Sequence, residues 1–306
     1  MNSDFETARA HLATRIARWT GDGEHYATAV SGLSLYRHVR AGAPLNCMLE
    51  PSIALPVQGA KRTRLGTDIY AYDRRRFLIT SLDLPVAMQV AKASPHEPFL
   101  SAVLRLDARV ISDLVMETGL QPPKRRAGSG PGMVLGNTTA GLVAAFDRLV
   151  GLLDEPELIP ALAPLAQREI FYRVLHSDAG GHLWQMASIE DQNQSISRAI
   201  DWLKANFREP LRIEALATQV GMSSSRFHHH FRRLTSMSPL QFQKWLRLTE
   251  ARRLMLVQGA DASTAAFDVG YESPSQFSRE YARQFGASPR RDVTGLLQQA
   301  AAAPMS

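Results

Sequence analysis

The stretch AAFDVGYESPSQFSREYARQFGASP, residues 265–289, repeats about fifty residues upstream as LATQVGMSSSRFHHHFRRLTSMSP, residues 216–239. A repeat of a whole supersecondary unit sets the architecture, so it is read first. Both copies carry a small or apolar pair (Leu216-Ala217, Ala265-Ala266), then Val-Gly, then a serine, then two aromatics four residues apart, then Ser-Pro. From Phe227 to Pro239 and from Phe277 to Pro289 the spacing is identical. The second copy holds one more residue between its glycine and its first aromatic.

Each copy reads as a short helix, a turn and a second helix. Gly221 and Gly270 end the first helix, where a left-handed residue reverses the chain. Ser223 and Ser273 are placed to cap the second helix, with Pro274 at its first position and Gln276 completing a capping box. Phe227, Phe231 and Leu234 fall on one helical face, as do Phe277, Tyr281 and Phe285. The other face is polar: Ser225, Arg226, His228, His229 and Arg232 in one copy, Ser275, Gln276, Ser278, Arg279 and Arg283 in the other. Arginine can grip guanine bidentately and glutamine adenine, while Ser and His can bond base edges or phosphates. Arg232, Arg233 and Arg283, nearer the helix ends, suit phosphates. Between the copies Leu240 to Val257 reads as one helix of about 27 Å. Such a spacer suits two reading helices one DNA turn apart, about 34 Å.

Charge agrees with this reading. From Gln192 to Gln298 there are fifteen Lys and Arg against nine Asp and Glu, a surplus of six that equals the +6 of the whole chain. The excess therefore sits wholly where phosphates would be met. At 45% hydrophobic and 21% charged over 306 residues, the chain has the composition of a two-domain soluble protein. No apolar run suits a membrane span and Met1 to Thr20 holds no signal core, so no membrane and a cytoplasmic location are expected. The lone Cys47 excludes an intramolecular disulfide and Cys-pair metal sites; packing, rather than redox sensing, is its expected role.

Residues up to about Ala102 read as strand-rich, with β-prone runs at Ser34–Val39, Ser52–Gln58, Asp68–Tyr72 and Arg76–Ser81 and turns at Gly59-Ala60-Lys61 and Gly66-Thr67-Asp68. Short, closely spaced strands predict a barrel or jelly roll. Helices are expected at Ala108–Met116, Ala140–Leu153 and Glu157–Leu175, with a Pro/Gly/Arg-rich loop from Gln121 to Asn137.

The repeat resembles the AraC/XylS family of bacterial regulators, over about a hundred residues from Ile196 to Asp292, with the signature in Ala265–Pro289. The resemblance places base contacts on Ser225, His228 and His229 and on Ser275, Gln276, Ser278 and Arg279. Ser236 departs from it, standing where the second copy has Gly286. Pro51–Gly66 and Ser81–Val86 resemble the cupin-like N-terminal domain of one AraC subgroup, which implies effector sensing, dimerisation or both.

Several of these residues also have plainer readings. Consecutive helical residues point about 100° apart, so His228-His229-His230 does not make a metal site; His230 is expected at the core edge beside Phe227 and Phe231. Gln276 has a competitor for its side chain, the Ser273 amide of the capping box. Trp184, Trp202 and Trp245 read as packing anchors. His25, His38 and His96 lack the His-x-His pattern of metal cupins, so no enzyme and no cofactor are expected, a cupin enzyme with a DNA anchor being the remote rival. Tyr36 and His38 share one face of a strand and are the candidate effector-pocket residues.

The expectation is an α+β chain of two domains. Residues 1–185 form a cupin-like β-barrel or jelly roll with flanking helices, 186–194 a linker, 195–298 an all-α domain of two helix-turn-helix units (about 213–235 and 262–285) joined by a long helix, and 299–306 a disordered tail. The function expected is a sequence-specific transcription regulator, with activation and repression both open. Its partners are double-stranded promoter DNA, RNA polymerase, an unknown small-molecule effector and a second copy in a homodimer; the alternative is a regulator without ligand, acting through oligomerisation.

Overall fold

The computed structural model describes residues 3–120, 131–187 and 192–302. The chain divides into two compact units, Met1–Gln194 with Arg233–Ser236, and Ser195–Arg232 with Met237–Ser306.

The first unit runs α1 (Ser3–Thr20), β1 (His25–Ala27), β2 (Leu33–His38), β3 (Leu45–Leu49), β4 (Ser52–Gln58), β5 (Ala60–Leu65), β6 (Asp68–Asp73), β7 (Arg76–Thr80), β8 (Leu84–Lys92), β9 (Phe99–Arg105), α2 (Ala108–Thr118), β10 (Met133–Asn137), α3 (Ala140–Gly151), α4 (Ile159–Leu175) and α5 (Gly180–Ala187). Its strands form two antiparallel sheets, β1-β2-β9-β4-β7-β10 and β3-β8-β5-β6, rather than one closed barrel. Alternation decides the faces: Leu33 and Leu35, Ile53, Leu55 and Val57, Phe77 and Ile79, and Leu100, Ala102 and Leu104 share one core with Phe5, Leu12 and Ile16 of α1 and Val143 and Phe146 of α3. Strand β4 is buried on both faces, as a central strand covered on both sides must be. Its Pro56 is tolerated because the register to β9 shifts there.

Several boundaries differ from the sequence reading. Of the expected 121–137 loop, residues 121–130 lie outside the described part, but Met133–Asn137 pairs with β7, Met133 opposite Thr80. The apolar Met-Val-Leu run finds a strand partner that local sequence does not reveal. Gly59 turns at φ 72°, whereas Ala60 and Lys61 already belong to β5. The expected linker 186–194 is shortened from both sides by α5 and by the next helix, which starts at Gln192, while 188–191 lie outside the described part.

The second unit runs α6 (Gln192–Asn206), α7 (Ile213–Gln219), α8 (Ser224–Thr235), α9 (Pro239–Val257), α10 (Ala262–Asp268), α11 (Pro274–Phe285) and α12 (Pro289–Ala302). The expected disordered tail from 299 is corrected through residue 302, since the alanines there extend α12; 303–306 lie outside the described part. Helix α9 is the spine, burying Phe242, Trp245, Leu248, Ala251, Leu254 and Met255. It begins on a reciprocal capping box between Ser238 and Gln241. Gly221 and Gly270 turn the two units at φ 75° and 88°, and Ser236 takes φ 57° where its counterpart Gly286 takes 81°.

Candidate nucleic-acid interface

Helices α8 and α11 are each anchored by one apolar stripe. Phe227, Phe231 and Leu234 are buried, as are Phe277 and Tyr281, with Phe285 packed beside them. Ring contacts continue the stripes, Phe227 to Phe231 at 5.5 Å, Phe231 to Phe242 of α9 at 5.5 Å and Phe277 to Tyr281 at 5.5 Å. Fixing one face leaves the opposite face to solvent. There the structure places Ser225, Arg226, His228, His229 and Arg232 on α8, and Ser275, Gln276, Arg279 and Arg283 on α11, all exposed; Ser278 is half-buried. His230 is buried beside the stripe.

Arg233 differs in exposure from its neighbours on α8. It is half-buried, with a buried Nε, although seven residues beyond the exposed Arg226 place it on the same side of the helix.

The cations of the two helices differ in state from those of the spine between them. Arg226, Arg232, Arg279 and Arg283 make no ion pair among the described residues. On the spine α9 the cations are engaged instead: Lys244 with Glu280, Arg252 with Asp292 and Arg253 with Glu250, each at 2.8 Å. Charge is thus left unneutralised on the two faces that could meet phosphates. Arg290 and Arg291, exposed in the first turn of α12 and likewise without an ion pair among the described residues, join this set. The sequence reading passed over them, although Arg-Arg directly after the second Ser-Pro was a visible signal.

Gln276 behaves differently from the capping-box expectation. Ser273 Oγ accepts from the Gln276 amide at 3.3 Å, but the Gln276 side chain donates to Glu280 Oε1 at 3.3 Å, one turn on. Glu280 also accepts from Lys244 Nζ of α9 and from the Tyr271 hydroxyl, both at 2.8 Å. Burial opposes its charge, yet these hydrogen bonds outweigh burial and hold its carboxyl below the usual carboxylate range. Burial and the Glu280 bond in turn push the Tyr271 phenol far up. One half-buried carboxylate therefore positions a candidate base-reading side chain against the spine.

Arg247, on the same spine, gathers carbonyls. It donates to Phe207 at 2.6 Å, Gly270 at 2.8 Å, Arg208 at 2.9 Å and Glu209 at 3.1 Å. Gln243, one turn before it, donates to Phe207 and Glu209 at 3.0 and 2.6 Å. The end of α6 and the turn of the second repeat are thereby tied to one helix.

In the first unit, Tyr36 and His38 point away from the Leu33/Leu35 core, toward the four-stranded sheet. Their register partners Ser101 and Phe99 share that side. Across the gap lies Lys61, whose Nζ is 5.8 Å from the Tyr36 ring centre and 5.7 Å from that of Phe99. His38 Nδ1 is 3.6 Å from Glu24. Burial lowers the His38 pKa against the opposing pull of Glu24. The sequence reading placed Lys61 in a turn and gave it no part in the pocket; it belongs to β5.

Among the described residues no cluster of three or more His, Cys, Asp or Glu is placed to hold a metal ion, and no helix is long and apolar enough to cross a membrane.

Comparison with known proteins agrees with both units. Residues 29–182 match the family described as AraC-type transcriptional regulator N-terminus, and residues 216–293 match a helix-turn-helix domain family. The HTH-type transcriptional activator RhaS of Escherichia fergusonii is 28% identical over 144 residues, 47% of this chain and 51% of that protein. The HTH-type transcriptional regulator ArgR of Pseudomonas aeruginosa is 23% identical over 155 residues, 51% of this chain and 47% of that one. The chain spans about half the length of these curated relatives in the matches. Its fold is shared with ToxT of Vibrio cholerae: an unsaturated-fatty-acid-bound form aligns at TM-score 0.53 and 12% identity, over 85% of this chain and 94% of that one. ToxT from strain O395 aligns at 0.54 and 12%, over 89% and 97%.

Proposed function

Because the chain belongs to the AraC-type transcriptional regulators, we propose that it is a sequence-specific DNA-binding regulator whose reading helices are α8 and α11. The observation that carries this reading is the pairing of two repeated helices, each seated by a buried aromatic stripe, with exposed arginines that make no ion pair among the described residues, whereas Lys244, Arg252 and Arg253 of α9 do. Ser225, Arg226, His228 and His229, with Ser275, Gln276, Ser278 and Arg279, are assigned to base edges, and Arg232 and Arg283 to phosphates. The 19-residue α9, about 28 Å long, is the rigid spacer between them. One chain then engages two successive major grooves of promoter DNA.

The first unit is assigned the control function: a small-molecule effector received between its sheets, beside Tyr36 and His38, biases how the reader engages DNA. A homodimer formed through this unit, contact with RNA polymerase, a cytoplasmic location and the absence of catalysis complete the reading. One observation favours the ligand-free alternative, the exposure of Leu162, Leu165 and Tyr172 on α4, an apolar strip suited to oligomerisation. Genome-wide mapping of bound sites tests the main reading. Recurrence of one motif with two parts about a helical turn apart is expected, and binding without sequence preference would overturn it.

A further inference from the structure

The space between the two sheets of the first unit contains a cation without a counter-charge. On β5, Lys61, Thr63 and Leu65 face inward while Arg62 and Arg64 are exposed. Thr63 is satisfied by the buried Tyr72 hydroxyl at 3.2 Å, but among the described residues the Lys61 side chain makes no hydrogen bond or ion pair and lies against the ring faces of Tyr36 and Phe99 on the opposite sheet. No carboxylate of the described residues lies within ion-pair distance of its Nζ; other cations of this unit have one, Arg15 with Asp147, Arg148 with Glu169 and Arg168 with Glu117. The neighbouring groups do not substitute. Burial pushes the Cys47 thiol up to about 11 and raises the Tyr36 phenol, so both are neutral at pH 7. Glu24 is engaged by His38 and is largely turned to solvent.

Withdrawing an ammonium from water is costly unless an opposite charge compensates it, and two ring faces compensate only in part. An incoming anion would meet a lysine already stripped of most of its water, a fixed arrangement that needs little reorganisation on binding. The site offers one ammonium between aromatic faces, without an arginine fork, which matches a single carboxylate on an apolar body better than a phosphate. Resting on the reading of the first unit as effector-receiving, we propose that Lys61 anchors a small organic monocarboxylate, its carboxylate on Nζ and its apolar body against Tyr36 and Phe99.

The test uses the full chain with its five lysines reductively ¹³C-methylated, the Lys61 resonance being assigned by its loss in Lys61→Met. Benzoate and hexanoate are titrated against benzamide and hexanamide, uncharged molecules of the same shape. Saturable movement of the Lys61 resonance by the acids and not the amides is expected, with acid affinity measured by titration calorimetry about tenfold or more weaker in Lys61→Met and largely kept in Lys61→Arg. Equal response to acids and amides overturns the anionic class while leaving an apolar effector possible. No response to either acid overturns the site. Were Lys61→Met to misfold, the wild-type titration with Lys61→Arg for assignment still decides. Duplex-DNA affinity is measured in parallel: acid binding that leaves it unchanged supports the site and sinks effector control instead.

Discussion

Arg247 donates to the carbonyl of Gly270 at 2.8 Å, so the glycine that turns the second reading unit is held by the helix that separates the two. The same guanidinium holds Phe207, Arg208 and Glu209 at the end of α6. Its planar fork matters, because a lysine cannot reach carbonyls in four directions at once. Arg247→Lys is expected to lower stability by about 2 kcal/mol, several hydrogen bonds from a charged group being lost together. A melt of the full chain unchanged within about 0.5 kcal/mol would show that the carbonyls are satisfied equally well without the fork.

Gly270 and Gly221 occupy the same place in the repeat but not the same surroundings. A Cβ on Gly270 would stand 2.3 Å from the Arg208 carbonyl oxygen, whereas one on Gly221 meets nothing within 4 Å. Both have positive φ, 88° and 75°, so each alanine variant bears the left-handed strain of about 1–2 kcal/mol. Gly270→Ala adds a backbone collision and is expected to cost several kcal/mol more than Gly221→Ala. Equal melting of the two variants would contradict this ranking.

Ser236 offers the converse. With φ 57° it is the one non-glycine in that region among the described residues. Ser236→Gly should raise stability by about 1 kcal/mol, less the extra freedom glycine gives the unfolded chain. Denaturant midpoints decide it; a destabilised Ser236→Gly would mean that the serine side chain contributes more than the strain it brings.

These positions also show what local sequence could and could not convey. The second unit was readable because its glycines, capping serines and aromatic stripes act within a turn or two of themselves. Strand β5 was not: Lys61 and Thr63 on its inner face and Arg62 and Arg64 on its outer face erase the polar alternation that marks a half-buried strand. Strands β3, β8 and β9 and helix α1 were likewise unassigned, α1 because its buried Phe5, Leu12 and Ile16 are too sparse to stand out. Gln276 illustrates a different limit. The rule for a capping box was met in sequence, and a carboxylate one turn later captured the side chain.

That carboxylate makes acid stability a test. The folded-state pKa of Glu280 is depressed, so its contribution is present above the ordinary carboxylate pKa and is lost as pH falls through the folded value. Glu280→Gln is expected to be less stable than wild type at pH 7 and to lose less on acidification below about pH 4.5. Parallel acid limbs for the two proteins would remove Glu280 from the account.

Arg279 and Arg283 lie one helical turn apart on the exposed face of α11, yet the assignment gives them different tasks, which separate in the salt and sequence dependence of binding. Arg279→Ala should weaken binding to the cognate site by about 1–3 kcal/mol, weaken random duplex much less, and relax preference at one base pair. Arg283→Ala should weaken both duplexes alike and reduce the slope of log K against log salt by about one phosphate's worth, near 0.9. Arg233→Ala, at a half-buried side chain, should leave that slope unchanged while lowering the melting temperature. Fluorescence anisotropy on cognate and scrambled duplexes across a salt series reads all three. If Arg279→Ala and Arg283→Ala gave the same losses on both duplexes, α11 would be gripping the backbone only, and sequence reading would fall to α8 alone.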